Sequence, residues 1–252
     1  MITAETIEQL AKKCQTNVFP NTVREYFEHL FLAKLYTFTG TDNLLFKGGT
    51  ALRIVYGSPR FSEDLDFSLS GVPQRKVKEI VEPLFVKVLA DIEKIGINVE
   101  LGKKSNETSG GYFGIATFNL LDYPPVGVEL NISTRNENLR GEVDSIANDF
   151  VPTYNLVHLS QEELVEEKIF GALIERKKPR DFYDLYFIMR KGMLSPEQKK
   201  KLAAVKANIV AEADKINFRI ELGKFLPINQ QAIIRDFSRT LENEMNRQLS
   251  LL

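Results

Sequence analysis

Residues 44–69 read LLFKGGTALRIVYGSPRFSEDLDFSL, and this stretch predicts a strand, a glycine turn, a helix, a loop and a second strand. The apolar residues 44–47 form the first predicted strand. Gly48 and Gly49 then give a turn whose backbone N–H groups can approach an anion without a Cβ in the way. A short amphipathic helix is predicted from Thr50. A turn of this kind at the start of a helix can accommodate phosphate.

Two carboxylates share one face of the second predicted strand. Residues 61–69 alternate, so Asp64 and Asp66 point away from the face of Leu65 and Phe67, and they lie about 7 Å apart along the strand. Neighbouring carboxylates repel each other unless a cation or water screens them, and hard oxygen ligands suit Mg²⁺ together with substrate phosphates. An acidic, solvated strand edge is the alternative. The glycine turn upstream favours a nucleoside triphosphate site that holds Mg²⁺ or Mn²⁺.

Composition places the chain among ordinary globular proteins, with 252 residues, of which 43% are hydrophobic and 27% charged. There is no run of eighteen apolar residues and no signal-peptide core, so we predict a cytoplasmic protein without a membrane partner. The single cysteine, Cys14, excludes an internal disulfide. Net charge is −4 over residues 1–150 and +3 over residues 151–252. A basic second half suits an RNA partner, although two solvated surfaces would look the same.

Downstream of residue 96 the hydrophobic period changes from helical to two. Residues 97–101, 112–121 and 126–133 read as antiparallel neighbouring strands, with a turn at residues 105–111. In the last of them Glu129 faces away from the apolar side, a position that a solubility residue commonly takes. Residues 136–152 look irregular and polar. We therefore predict an α+β chain with a mixed or antiparallel sheet in residues 1–152 and a helical bundle in residues 153–252.

The helical half contains three ionisable residues of interest. Ser160 begins a capping box for a helix in which Lys168 lies near the edge of the apolar stripe, where a lysine usually forms a surface salt bridge. A basic loop precedes the next helix, and Pro179 fits its first turn. Asp181 and Asp184 are three residues apart and share one face of that helix. The helix dipole alone explains an acid at Asp181.

Two blocks of the sequence resemble the AbiEii/AbiGii-type nucleotidyltransferase family. Residues 47–52, KGGTAL, with residues 60–68, RFSEDLDFS, are similar to the first motif of that family. Lys168 and residues 180–186, RDFYDLY, resemble its later lysine and Arg-Asp-x-x-Asp signature. The resemblance extends over roughly residues 20–190 and implies a polymerase β-like nucleotidyltransferase fold, followed by a helical bundle that contributes to the active site.

The resemblance also implies roles for individual residues. Metal would be held by Asp64, Asp66 and Glu129. Catalytic roles would extend to Lys168 and Asp184. Nucleotide binding would fall to Gly48, Gly49, Thr50, Ser62, Lys168, Arg180 and Asp181. Arg180 would also pair with one of the two helix acids, and Arg135 is a weaker candidate for a phosphate contact.

The implied activity is Mg²⁺-dependent transfer of a nucleoside monophosphate from an NTP to an acceptor hydroxyl. The acceptor would be RNA, such as a tRNA 3′ end, and the protein would be the toxin of a toxin–antitoxin pair with a cognate antitoxin as partner. Two alternatives remain open. A protein-modifying nucleotidyltransferase would share the whole site. An NTP-binding module without turnover would have damaged carboxylates, whereas this chain keeps all three.

Overall fold

The computed structural model describes residues 2–102, 106–108, 110–134 and 139–250. The chain divides into two compact units: residues 1–57 with 61–159, and residues 58–60 with 160–252. The division after residue 159 lies later than the predicted boundary at 152, because the last strand of the sheet belongs to the first unit. None of the helices in the described ranges has the length and hydropathy needed to span a bilayer.

A mixed sheet of eight strands, counted over the described residues, forms the centre of the first unit. In chain order the strands are β1 Leu44–Lys47, β2 Asp64–Leu69, β3 Asn98–Leu101, β4 Asn106–Thr108, β5 Gly111–Asn119, β6 Val126–Ser133, β7 Gly141–Ile146 and β8 Tyr154–Leu159. Their spatial order is β3-β5-β6-β2-β1-β8-β7, and β4 pairs with β5. β2 is antiparallel to β1 and parallel to β6, while β1 is parallel to β8. β2 therefore lies inside the sheet, with a neighbour on each side.

Among the residues that the structure describes, four α-helices belong to the first unit. They are α1 Ala4–Lys13, α2 Val23–Leu35, α3 Gly48–Ile54 and α4 Val77–Glu93. Helix α2 packs on β5 through Phe27 and Phe118, whose ring centroids are 3.9 Å apart. Helix α4 packs on β2 through Phe85 and Phe67, at 6.3 Å. Burial of Phe67 against α4 leaves Asp64 and Asp66 on the opposite face of β2, because side chains alternate along a strand.

The second unit is helical. Its helices are α5 Gln161–Glu166, α6 Ile174–Arg176, α7 Pro179–Lys191, α8 Pro196–Ala213, α9 Phe218–Phe225 and α10 Phe237–Leu249. A π-helical segment, Glu167–Leu173, joins α5 to α6. The Ser160 cap and the Pro179 start occur where the sequence predicts them, and a capping box at Ser195 begins α8. The central aromatic contact joins Phe218 to Phe237, with ring centroids 4.6 Å apart.

Three local predictions differ from the structure. The polar stretch 136–152 contains β7, an edge strand, and charged residues are common on edge strands because they discourage pairing with other chains. The predicted turn at residues 105–111 includes β4, with Ser105 and Ser109 outside the described residues. The spacing of apolar residues over 229–249 predicts a single helix, whereas the last α-helix begins at Phe237, after a 3-10 segment, Ile228–Asp236.

Candidate active site

The strand register brings four polar residues together on one face of the sheet. On the parallel pair β2 and β6, Asp64 is aligned with Glu129, and Asp66 is aligned with Asn131. Aligned residues on neighbouring strands point to the same face, and strands lie about 4.8 Å apart. The Asn131 side-chain amide donates a hydrogen bond of 3.1 Å to one carboxylate oxygen of Asp66. This bond restricts the orientation of the Asp66 carboxylate.

The glycine turn lies directly against Asp66. Gly48 has a φ of +86°, and a Cβ built on it would lie 2.1 Å from Oδ2 of Asp66. Both observations require glycine, since L-residues rarely adopt this φ and no Cβ fits that space. Gly48 is also the first residue of helix α3. The N-terminal end of α3 therefore meets the free oxygen of Asp66.

The residues after Gly48 contact the start of strand β2. Thr50 is fully buried, and its hydroxyl donates to the backbone carbonyl of Asp64 at 2.5 Å. Gly49 is buried beside it, and Ser62 lies half-buried in the loop before β2. The Thr50 hydroxyl thus fixes the start of β2, and the nucleotide-binding roles of Gly48, Gly49, Thr50 and Ser62 stay predictions.

A buried ion pair behind α3 was missed by sequence reasoning. Arg53 donates two hydrogen bonds to the Glu25 carboxylate, at 2.5 Å and 2.9 Å. Its guanidinium also lies over the Phe61 ring, 3.6 Å from the centroid. These contacts hold helix α3 against α2 and against the loop that leads into Asp64. No local signal marks this pair, because Glu25 and Arg53 are 28 residues apart in the chain.

Glu129 is exposed on β6, in line with Asp64. Over the parts of the chain that the structure describes, no three carboxylate, histidine or cysteine side chains are arranged to hold a metal ion. The role of Glu129 as a third metal ligand therefore stays a prediction. Arg135, the weaker phosphate candidate, lies outside the described residues.

In the second unit, Lys168 and Asp184 form part of a buried ionic cluster with Arg60. The Lys168 ammonium donates to Oδ2 of Asp184 at 2.8 Å, and Arg60 donates to both carboxylate oxygens, at 2.8 Å and 3.1 Å. The exposed fractions are 9% for Lys168, 2% for Arg60 and 1% for Asp184. Lys168 is therefore buried in an ion pair, whereas the helical pattern predicts a lysine at the exposed edge of the helix.

The cluster keeps Asp184 ionised. Burial opposes the charged form, but the charges of Arg60 and Lys168 and their hydrogen bonds outweigh it and lower the pKa of Asp184 below its ordinary value. The same carboxylate raises the pKa of Arg60, against the effect of burial. Asp184 therefore orients the Lys168 ammonium and the Arg60 guanidinium.

Asp181 and Arg180 have partners other than those expected. Asp181 is 1% exposed; it accepts a hydrogen bond of 3.1 Å from the backbone N–H of Lys178 and one of 2.6 Å from Arg176. This is a helix-capping arrangement. Arg180 lies 3.7 Å from a carboxylate oxygen of Glu221. The expected pairing of Arg180 with Asp181 or Asp184 is therefore wrong, because Arg176 and Arg60 take those positions. The nucleotide-binding roles of Arg180 and Asp181 stay predictions.

Solved structures share this architecture. A candidate nucleotidyltransferase from H. pylori matches with a TM-score of 0.67 and 18% identity, over 93% of this chain and 96% of that chain. JHP933 from Helicobacter pylori matches with a TM-score of 0.65 and 17% identity, over 100% of this chain and 95% of that chain. At these identities the likeness concerns the fold. No curated protein sequence matches the chain.

Comparison with protein families shows that the chain is a nucleotidyltransferase, the class that the resemblance of its glycine-turn and paired-aspartate motif implies. The family model of the AbiEii nucleotidyl transferase toxin, from type IV toxin–antitoxin systems, matches residues 30–249. The chain belongs to the AbiEii toxin family. This membership implies a nucleotide substrate and an antitoxin partner.

Proposed function

We propose that this nucleotidyltransferase transfers a nucleoside monophosphate from an NTP to a hydroxyl group of RNA, and that its cognate antitoxin opposes this activity. The observation that carries the proposal is the contact between the glycine turn and Asp66. Gly48 brings the first turn of α3 to the Asp66 carboxylate, where a Cβ would be 2.1 Å from Oδ2. A phosphate group and a cation can be bound side by side at such a junction.

The donor set of the first unit fits Mg²⁺. Asp64 and Asp66 offer hard carboxylate oxygens on one strand face, and Asn131 holds one oxygen of Asp66 while the other faces the turn. One or two carboxylates together with substrate phosphates form a usual Mg²⁺ environment. When bound, the metal neutralises phosphate charge and lowers the pKa of the attacking hydroxyl. Glu129, aligned with Asp64, would add a third carboxylate.

The other residues act by binding and orientation. Backbone N–H groups of the turn at Gly48 and Gly49 bind triphosphate oxygens, whereas the Thr50 hydroxyl is already engaged by Asp64. Lys168 neutralises part of the triphosphate, and Asp184 keeps its ammonium oriented. Charge placed in advance where negative charge develops lowers the barrier to phosphoryl transfer.

Labelled NTPs test the proposal directly. Wild-type protein is incubated with Mg²⁺, each labelled NTP in turn, and either total RNA or total protein. We expect label in the RNA fraction. Label in the protein fraction alone would refute the RNA acceptor and indicate that the acceptor is a protein.

Calorimetry tests the metal site separately. Asp66→Asn should weaken Mg²⁺-dependent NTP binding strongly, since the metal loses an anionic ligand. Asp122→Asn, an exposed acid in the turn before β6, is the matched control and should bind as the wild type does. Unchanged binding by the Asp66→Asn protein would refute the metal assignment.

A further inference from the structure

A groove of about 900 Å³ opens in the second unit. Its lining residues lie between positions 213 and 238, which follow Lys168 and Asp184 in the chain. Helix α9 and the 3-10 segment Ile228–Asp236 contribute most of its lining. The rings of Phe218 and Phe237 lie beneath it, almost fully buried and in contact with each other. The groove thus has a firm apolar base and walls from two different elements. Its volume is in the range of ligand-binding pockets.

Positive side chains line both walls. Arg219 and Lys224 belong to α9, and Arg235 belongs to the 3-10 segment. Arg219 and Arg235 are exposed, and neither guanidinium forms an ion pair with any residue that the structure describes. Both groups are therefore available to an anionic ligand.

The acids of the groove are engaged locally. Asp214 accepts a hydrogen bond from the Ser238 hydroxyl. Asp236 has a carboxylate oxygen 3.9 Å from a guanidinium nitrogen of Arg239. The negative charges of Asp214 and Asp236 therefore neutralise only part of the positive charge of Arg219 and Arg235.

The net charge of the second unit also favours an anionic ligand. Residues 58–60 and 160–252 contain 18 lysines and arginines and 14 acids, while the entire chain has a net charge of −1. Basic residues therefore concentrate in the unit that carries the groove. A positive surface raises the local concentration of polyanions and speeds their association.

We infer that this groove binds the phosphodiester backbone of single-stranded RNA, the acceptor in the proposed function, on which the inference rests. An extended strand can enter a concave groove that the convex surface of a folded protein cannot. Its phosphates pair with Arg219 and Arg235 on opposite walls. Apolar side chains such as Ile216 and Ile220, the latter 69% exposed, contact the base faces. Planar guanidinium groups also stack on unpaired bases.

Equilibrium binding of a fluorescent single-stranded RNA of about 12 nucleotides, a length within the range of known single-strand sites, tests the inference without NTP. The groove variant is Arg219→Gln with Arg235→Gln. The control is Lys191→Gln with Lys200→Gln, which removes the same charge from exposed positions of the same unit outside the groove. Circular dichroism melting verifies that both variants fold.

We expect the groove variant to bind about tenfold or more weakly at low salt. Its slope of log K against log salt should be shallower by about 1.4, because each lost phosphate contact changes the slope by about 0.7 for single strands. The control should keep the wild-type slope. Equal behaviour of the two variants would overturn the inference. Displacement of the RNA by an equal concentration of polyglutamate would also overturn it, in favour of an acidic protein segment.

The outcome is separable from that of the proposed function. Asp66→Asn protein should bind the RNA with wild-type affinity. Transfer to RNA by the wild type, with full affinity in the groove variant, would overturn the groove and leave the proposed function in place. Absence of transfer, with the affinity difference intact, would support the groove and refute the proposed function.

Discussion

Replacing Gly48 by alanine should disable the site through one added methyl group. The new Cβ would lie 2.1 Å from Oδ2 and 2.9 Å from Cγ of Asp66. Since Cβ–oxygen contacts below 3.0 Å are essentially never seen, that oxygen must move by about 1 Å or more. A displacement of about 1 Å in a reacting group can cost about a hundredfold in rate. The φ of +86° adds a backbone penalty of about 1–2 kcal/mol for a residue with a Cβ.

Gly40 is a matched control for this substitution. It has the same φ of +86°, but a Cβ built there meets nothing within 4 Å. Gly40→Ala should therefore lose the same 1–2 kcal/mol or so in urea unfolding, without loss of transfer. Gly48→Ala should lose at least as much stability, and its nucleotide transfer should fall about a hundredfold.

Transfer of labelled nucleotide and urea unfolding, measured on both proteins, separate the two effects. If the Gly48→Ala and Gly40→Ala proteins transfer nucleotide equally well, contact between the turn and Asp66 has no part in the reaction, and the reasoning is refuted.

Lys168→Met should lower nucleotide transfer about a hundredfold through loss of a phosphate contact, and should lower the free energy of unfolding by about 1–3 kcal/mol. Arg60→Met should lower the free energy of unfolding by about 3–5 kcal/mol, because it removes two hydrogen bonds to a buried carboxylate. Near-normal transfer by folded Lys168→Met protein would exclude a role in the reaction. His29 is buried, and burial lowers its pKa from 6.5 to about 4. Between these values His29 binds the proton only in the unfolded chain, so its contribution to the free energy of unfolding should fall as the pH drops from 6.5 to about 4. Urea unfolding across this range should show a smaller decrease for His29→Gln, whereas equal decreases would contradict the assignment. The lowered pKa of Asp184 removes stability mainly as the pH falls through 3.8, its ordinary value, and so adds to the decrease only at the acid end of this range.

The part of the site that carries the family motif could be predicted from the sequence, because its structure depends on residues that are close together in the chain. The strand, glycine turn and helix at residues 44–54 and the alternation around Asp64 and Asp66 depend on neighbours within a few residues, and the structure has β1, α3 and β2 in that order. The strands after residue 97 extend the same sheet, as their period and spacing predict. Caps at Ser160 and Ser195 are likewise written in four consecutive residues.

Short-range patterns by themselves determined the paired aspartates and the helix starts at Ser160 and Pro179, and the resemblance of two motifs to a known family implied the nucleotidyltransferase class. Only the tertiary structure decided that Glu25 binds Arg53, that Arg60 binds Asp184 across 124 residues, and that Asn131 orients Asp66. Tertiary folding also buried Lys168, which the helical pattern leaves at the edge of an apolar stripe. The physical reason is range. Periodicity and capping act within one or two turns, whereas an ion pair forms wherever folding brings opposite charges together and removes water from both.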